Sequence, residues 1–262
     1  MADQLCHALA DDEYCRAVSA EIDRLSDIVR DVDATTPVPS CPGWTAAKLV
    51  AHTGMIHRWV DRLLRERARE PLEFTQFGRD LPTDWARYGD WLGAMAFRLP
   101  ETLRGIDPNT PVWSFTDDRR AGFWPRRMLH ETMVHRVDTE LAAGRRPRVD
   151  TAAAVDGIDE LLYLLSFGHP FRESPADLRG EGQTVYVHCP DVDVRWLIRM
   201  GPEGHAWEHL SAEPWDPPTA TVRGNAAEVH LFLYNRLGRR AGRVERAGDP
   251  AVLADWLRRS AL

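Results

Sequence analysis

Lysine is nearly missing from this chain: Lys48 is the single one, and Arg supplies the rest of the basic residues. That bias suggests GC-rich coding and bears on source, not on chemistry. Positive charge is in deficit as well, with 33 Lys and Arg against 40 Asp and Glu for a formal net charge of -7. A protein that works on nucleic-acid backbones needs a concentrated basic excess, so that class is excluded as the main activity. The run RRPR at 145–148 reads as solvated loop. Cysteine is sparse, and Cys6, Cys15, Cys41 and Cys189 include no CxxC pair, which excludes a zinc ribbon and a thioredoxin-type motif. No apolar run approaches a membrane span, and MADQLCHALADDEYC has neither the basic nor the apolar segment of a secretory signal. The expectation is a cytoplasmic protein with reduced thiols and no membrane partner. What is present is core material: 44% apolar residues and ten Trp in 262 residues, enough for one large domain or two ordinary ones.

Hydrophobic spacing divides the chain. Val18, Ile22, Leu25, Ile28 and Val29 recur at threes and fours, predicting a helix over 12–32 with one buried stripe. The proline-rich segment TTPVPSCPGW breaks it and delivers the chain to a second helix, 44–67. Further helices are expected over 85–99 and 124–143, completing a four-helix bundle. The connection 66–83 is long and polar for a bundle, as lids and binding loops are. After GRRPRVD the texture changes. A helix over 152–167 precedes two strands, QTVYVHC and VRWLIRM, joined by a PDVD turn. A strand TATVRG, a helix NAAEVHLFLYNRLG and a closing helix PAVLADWLRR follow. The fold class is α+β, with a helical bundle over 1–147 and a smaller α+β domain over 148–262.

The stretch HETMVH, 130–135, carries the chemistry. It is not an HExxH zinc motif, because its two histidines are five apart and fall about 140° from each other on a helix. Glu131 and His135, four apart, share one face instead, and Asp138 returns to it. Trp124 and Met128 lie on that side, so the stripe points inward. On the second helix His52 sits amid Leu49, Met55, Ile56, Trp59, Val60 and Leu63, all within roughly 80° of it, while His57 is expected to face solvent. Two readings follow for His52, Glu131 and His135. They are three N/O ligands of a catalytic metal site with an open position, or they form an interhelical hydrogen-bond network. The cost of burying a carboxylate with two imidazoles favours metal, with Zn leading and Mn, Fe, Co or Ni also compatible.

The phrase VPSCPGWTAAKLVAHTGMIHRWV, followed by WPRRMLHETMVHRVDTELAAG, resembles the mycothiol-dependent maleylpyruvate isomerase family. The resemblance implies a DinB-like metal-binding bundle and a C-terminal domain similar to sterol-carrier proteins. It places the family's metal ligands at His52, Glu131 and His135, and an active-site Arg at Arg236, which also reads as a cation at a helix C-terminus. The implied cofactors are a divalent metal and mycothiol, and the implied partner is a small-molecule substrate. The implied activity is cis-trans isomerisation of an electrophilic metabolite, or S-transfer to or from it, with the metal generating a thiolate. Asp138 is expected either to orient His135 or to pair with a cation such as Arg127 or Arg145. Trp85, Trp91, Trp113 and Trp124 are ordinary core or the wall of an aromatic substrate site. Cys41 reads as a structural part of its Pro-Gly turn, and His130 as meeting solvent or a neighbouring helix. Two other functions stay open: a hydrolase with metal-activated water, and a non-catalytic small-ligand-binding bundle. Oligomeric state is not legible.

Overall fold

The computed structural model describes residues 9–167, 178–237 and 243–260, and it divides into two compact units, Leu9–Arg148 and Val149–Leu262. The fold class is α+β, as expected. Cys6 lies outside the described residues.

The first unit is built from α1 (Asp11–Val29), α2 (Ala46–Arg65), α3 (Tyr88–Gly105) and α4 (Phe123–Ala142). In the turn before α2, Gly43 takes φ +80, and the Val38 and Trp44 backbones close on each other through an N–H···O bond of 3.0 Å. The Thr45 hydroxyl then caps α2 by accepting from the Lys48 amide. The third helix starts later and ends later than its sequence pattern suggests. Trp85–Arg87 form a 3-10 turn, and α3 continues through Pro100 to Gly105. Proline forfeits a helical hydrogen bond, but Leu92, Met95, Leu99 and Leu103 keep one buried stripe across it, and that burial carries the helix on.

The fourth helix is buried on nearly every side from Phe123 to Thr139. Its charges must therefore be paired: Arg136, 1% exposed, reaches Glu21 of α1 at 2.5 Å and Glu140 at 2.6 Å. This environment overturns the expectation for His57, which is fully buried. Its Nε2 lies 2.9 Å from the Thr132 hydroxyl, whose own proton goes to the Met128 carbonyl at 2.6 Å, so the imidazole is the donor. A single amphipathic stripe is the wrong picture for a helix pressed on two sides, which is why the wheel misplaced this residue. His130 is likewise fully buried, against neighbouring elements and not solvent.

In the second unit α5 (Thr151–Leu164) precedes a five-stranded sheet of order β3-β2-β1-β4-β5. Its strands are β1 (Gln183–Cys189), β2 (Val194–Gly201), β3 (Gly204–His209), β4 (Ala220–Arg223) and β5 (Glu245–Gly248), with α6 (Ala226–Leu233) between β4 and β5 and α7 (Pro250–Arg259) at the end. The hairpin β1-β2 pairs Cys189 with Val194 around the PDVD turn, where Asp193 adopts φ 56. β4 runs parallel to β1. One face of β1 and β2 is apolar, with Val185, Val187, Trp196 and Ile198 buried, and α5 covers it through a 2.6 Å bond from Trp196 Nε1 to Asp159. β3 and β5 were not expected. GHAWEH opens on glycine and carries two His and a Glu, and ERAG is exposed throughout, so neither shows an apolar alternation. Among the described residues no helix is long and apolar enough to cross a membrane.

Candidate metal centre

His52 projects from α2 while Glu131 and His135 project one helical turn apart from α4, and their donor atoms lie within 4.8 Å of one another. Glu131 Oε1 is the common point, 3.6 Å from His52 Nε2 and 3.1 Å from His135 Nε2. The two imidazoles stand edge-on at 87°, centroids 5.3 Å apart. Three donors from two helices thus converge from different directions, an arrangement a divalent cation fits and one that leaves a coordination position for a small molecule.

Each α4 donor is held from behind. Arg127, four residues before Glu131, sets its guanidinium 2.9 Å from Oε2, leaving Oε1 for the imidazoles. Asp138 Oδ2 lies 3.1 Å from His135 Nδ1, so Nε2 is the atom turned to the centre. Of the two expectations for Asp138, its geometry fits the orienting one. It is fully buried, while Arg127 is held by Glu131 and Arg145 by Asp31. Asp138 is itself fixed by the CPGW turn, with the Ser40 hydroxyl donating to Oδ1 and the Cys41 thiol donating to Oδ2 at 3.5 Å.

The electrostatics follow from this packing. Burial opposes the charged form of Glu131, but His135, His52 and Arg127 together hold its carboxyl well below the usual range. Burial would also depress His135, yet the Glu131 carboxylate and the Asp138 hydrogen bond raise it to about 9. Without a cation, a proton on His135 serves as the positive charge that Glu131 and Asp138 call for. A metal ion would take over that role.

Aromatic rings close the surroundings. Trp44 meets the His52 ring edge-on at 5.2 Å, and Phe74, from a 3-10 turn Phe74–Gly78 in the long 66–83 connection, lies 6.1 Å away. The connection is tied down by Trp59 Nε1, which donates to the Leu72 carbonyl at 3.0 Å. The four tryptophans split. Trp85 and Trp91 pack on the core of Leu25, Val29, Val50 and Leu92. Trp113 and Trp124 join Trp59, whose ring also touches Phe74. Arg236 belongs to the C-terminal unit, beyond the end of α6, where it is buried and its Nη1 donates to the Tyr234 carbonyl at 2.6 Å. Sequence reasoning missed Arg127 as the partner of Glu131, although the i, i+4 spacing was legible. It also missed Trp44 and Phe74, for which only the nearby CPGW turn and long connection gave a signal.

A helical bundle holding a partly buried His-Glu-His cluster defines the class: a four-helix unit with a candidate metal centre, followed in the chain by an α+β unit. Residues 15–140, within the bundle, match the family described as mycothiol maleylpyruvate isomerase N-terminal domain. The fold of the whole chain is similar to a crystal structure of the mycothiol-dependent maleylpyruvate isomerase, with TM-score 0.61 and 14% identity over 91% of this chain and 93% of that one. A histidine-to-alanine variant of that enzyme matches with the same score, identity and coverage. No curated protein sequence matches the chain.

Proposed function

We propose that this protein is a divalent-metal-dependent enzyme that uses a low-molecular-weight thiol, mycothiol, as nucleophile or co-substrate. Its reaction is cis-trans isomerisation of an electrophilic small metabolite, or S-transfer to or from one. The observation that carries this reading is the convergence of His52 Nε2, His135 Nε2 and Glu131 Oε1 with each α4 donor braced by a buried charge. The family match over residues 15–140 supports the choice of thiol over water.

A divalent cation at this position, zinc being the best match to two imidazoles and one carboxylate, supplies the positive charge that lets a thiol ionise near neutral pH. The chain's own residues do the rest. Arg127 keeps Glu131 ionised and directed, and Asp138 presents the His135 Nε2 lone pair. Trp44 and Phe74 shield the His52 side of the site from water, which strengthens every charge interaction inside it. Arg236 is proposed to steady an anionic group of the substrate, and the C-terminal unit is proposed to be a sterol-carrier-like domain.

The test is turnover with and without thiol. Metal-loaded protein assayed on unsaturated diacids and related electrophiles is expected to turn over only with mycothiol present. Activity that survives complete removal of low-molecular-weight thiols contradicts the proposal and favours an activated-water hydrolase.

A further inference from the structure

The C-terminal sheet carries, on the face away from α5, polar groups that the fold itself leaves unsatisfied. Side chains alternate along β1, so Thr184, Tyr186 and His188 share that face. In register, His188 stands opposite Arg195 on β2 and opposite Arg223 on β4, so two guanidinium groups flank one imidazole in a single row. His188 is 5% exposed, and neither ring nitrogen has a hydrogen-bond partner. Arg195 Nε is buried without one too. One step along the strand, the buried Tyr186 lies beside the Arg195 guanidinium. Buried polar atoms are nearly always paired, so a cluster of them on adjoining residues points to a partner from outside the chain.

Two carboxylates also face the row. Asp193, with its side chain 76% exposed, sits 2.6 Å from Arg195 Nη2 and 4.0 Å from His188 Nε2, and Glu213 approaches from the segment that follows β3. Burial pushes His188 below its ordinary pKa, and Arg195 and Arg223, in register on either side, each act on it more strongly than either carboxylate. The field at the imidazole is therefore positive. Beside the row the same face holds a cavity of about 540 Å³, with Leu197, Leu210 and Trp215 as apolar lining and Arg199, Glu213 and Asp216 as charged lining. That volume suits a small molecule. Leu197 is the register partner of Tyr186, so the cavity begins where the cationic row ends. Trp215 is 97% exposed, which leaves a large apolar side chain at the cavity with most of its surface uncovered.

We propose that this face binds a small organic anion, its carboxylate or phosphate group on the Arg195, His188 and Arg223 row and its apolar body in the cavity against Leu197 and Trp215. All of these residues belong to the C-terminal unit, none to the bundle.

The experiment is calorimetric titration of the full chain, stripped of metal with a chelator so that no bound cation competes for the anion. The probes are octanoate, octyl phosphate and, as the uncharged control, octanol. At least one anionic probe is expected to bind while octanol does not, and Arg223→Gln is expected to weaken binding by about tenfold or more. Arg223 is exposed, so the variant should keep the wild-type circular dichroism spectrum. Binding of one anion alone identifies the recognised group and supports the site equally. In a parallel NMR titration, the His188 imidazole should move on addition of the bound probe. Equal affinity of wild type and Arg223→Gln, octanol binding as tightly as the anions, or no binding of either anion at millimolar concentration overturns the proposal.

Discussion

Asp138 stands outside the trio of donors, yet it decides which nitrogen of His135 is presented to them. Its oxygens are shared between His135 Nδ1, the Ser40 hydroxyl and the Cys41 thiol, so the CPGW turn is wired to the centre through one buried carboxylate. Replacing such an outer partner typically lowers metal affinity by about 10–100-fold, and Asp138→Asn is expected to fall in that range by competition with a metallochromic chelator. An unchanged affinity would mean that Asp138 serves folding alone. His57 offers a separate test. Its folded pKa of about 4 lies below the ordinary 6.5 because the ring is fully buried. A neutral buried imidazole contributes stability that is complete above pH 6.5 and is lost as pH falls toward 4, at most about 3 kcal/mol. Denaturation of the metal-free protein from pH 7 to 4.5 should therefore show a shallower pH slope for His57→Gln than for wild type, and equal slopes would refute it. At this scale the sequence was legible where periodicity sufficed. The spacing brought Glu131, His135 and Asp138 to one face and put His52 inward. It misjudged His57, because a wheel knows one buried face and α2 has more than one.

At the scale of elements, α4 is the organising piece. Its burial on nearly all sides forces every charge on it into a pair, which is why Arg127 meets Glu131 and Arg136 meets Glu21 and Glu140. Removing Arg127 leaves Glu131 with the imidazoles as its remaining positive partners, so Arg127→Met is expected to cost less than the about 3–5 kcal/mol of a fully uncompensated buried charge in the metal-free protein. The loss should be smaller with metal bound, since the cation also compensates Glu131, and urea titrations with and without zinc measure the difference. The contact of α2 with α3 gives a second prediction. A Cβ at Gly54 would sit 2.0 Å from the Trp91 ring, so the indole packs directly on the glycine. Gly54→Ala must displace Trp91 from the core of Leu25, Val29, Val50 and Leu92, and a loss of about 1–3 kcal/mol is expected by chemical denaturation. Helix positions were readable from apolar spacing, and the hairpin of β1 and β2 from alternation and its turn. The continuation of α3 through Pro100 was not readable, because it rests on a stripe whose partner helix the sequence does not reveal. Nor were β3 and β5, which lack an apolar face.

For the whole molecule, the chain pairs a helical unit that collects charged and imidazole donors with a sheet unit that has its own polar face and cavity. The family match over residues 15–140 and the fold of the full chain agree with what the HETMVH and CPGW motifs suggested. Identity of 14% to the isomerase shows a common fold, so the reaction has to be established from the site itself. His52, Glu131 and His135 are proposed to hold a divalent cation. Elemental analysis of purified protein, with His52→Ala and His135→Ala measured beside it and folding checked by circular dichroism, tests it most directly. About one equivalent of metal is expected in the wild type, with most of it lost in both folded variants. Absence of stoichiometric metal from the wild type after incubation with zinc, or as much metal in both variants as in the wild type, would contradict it.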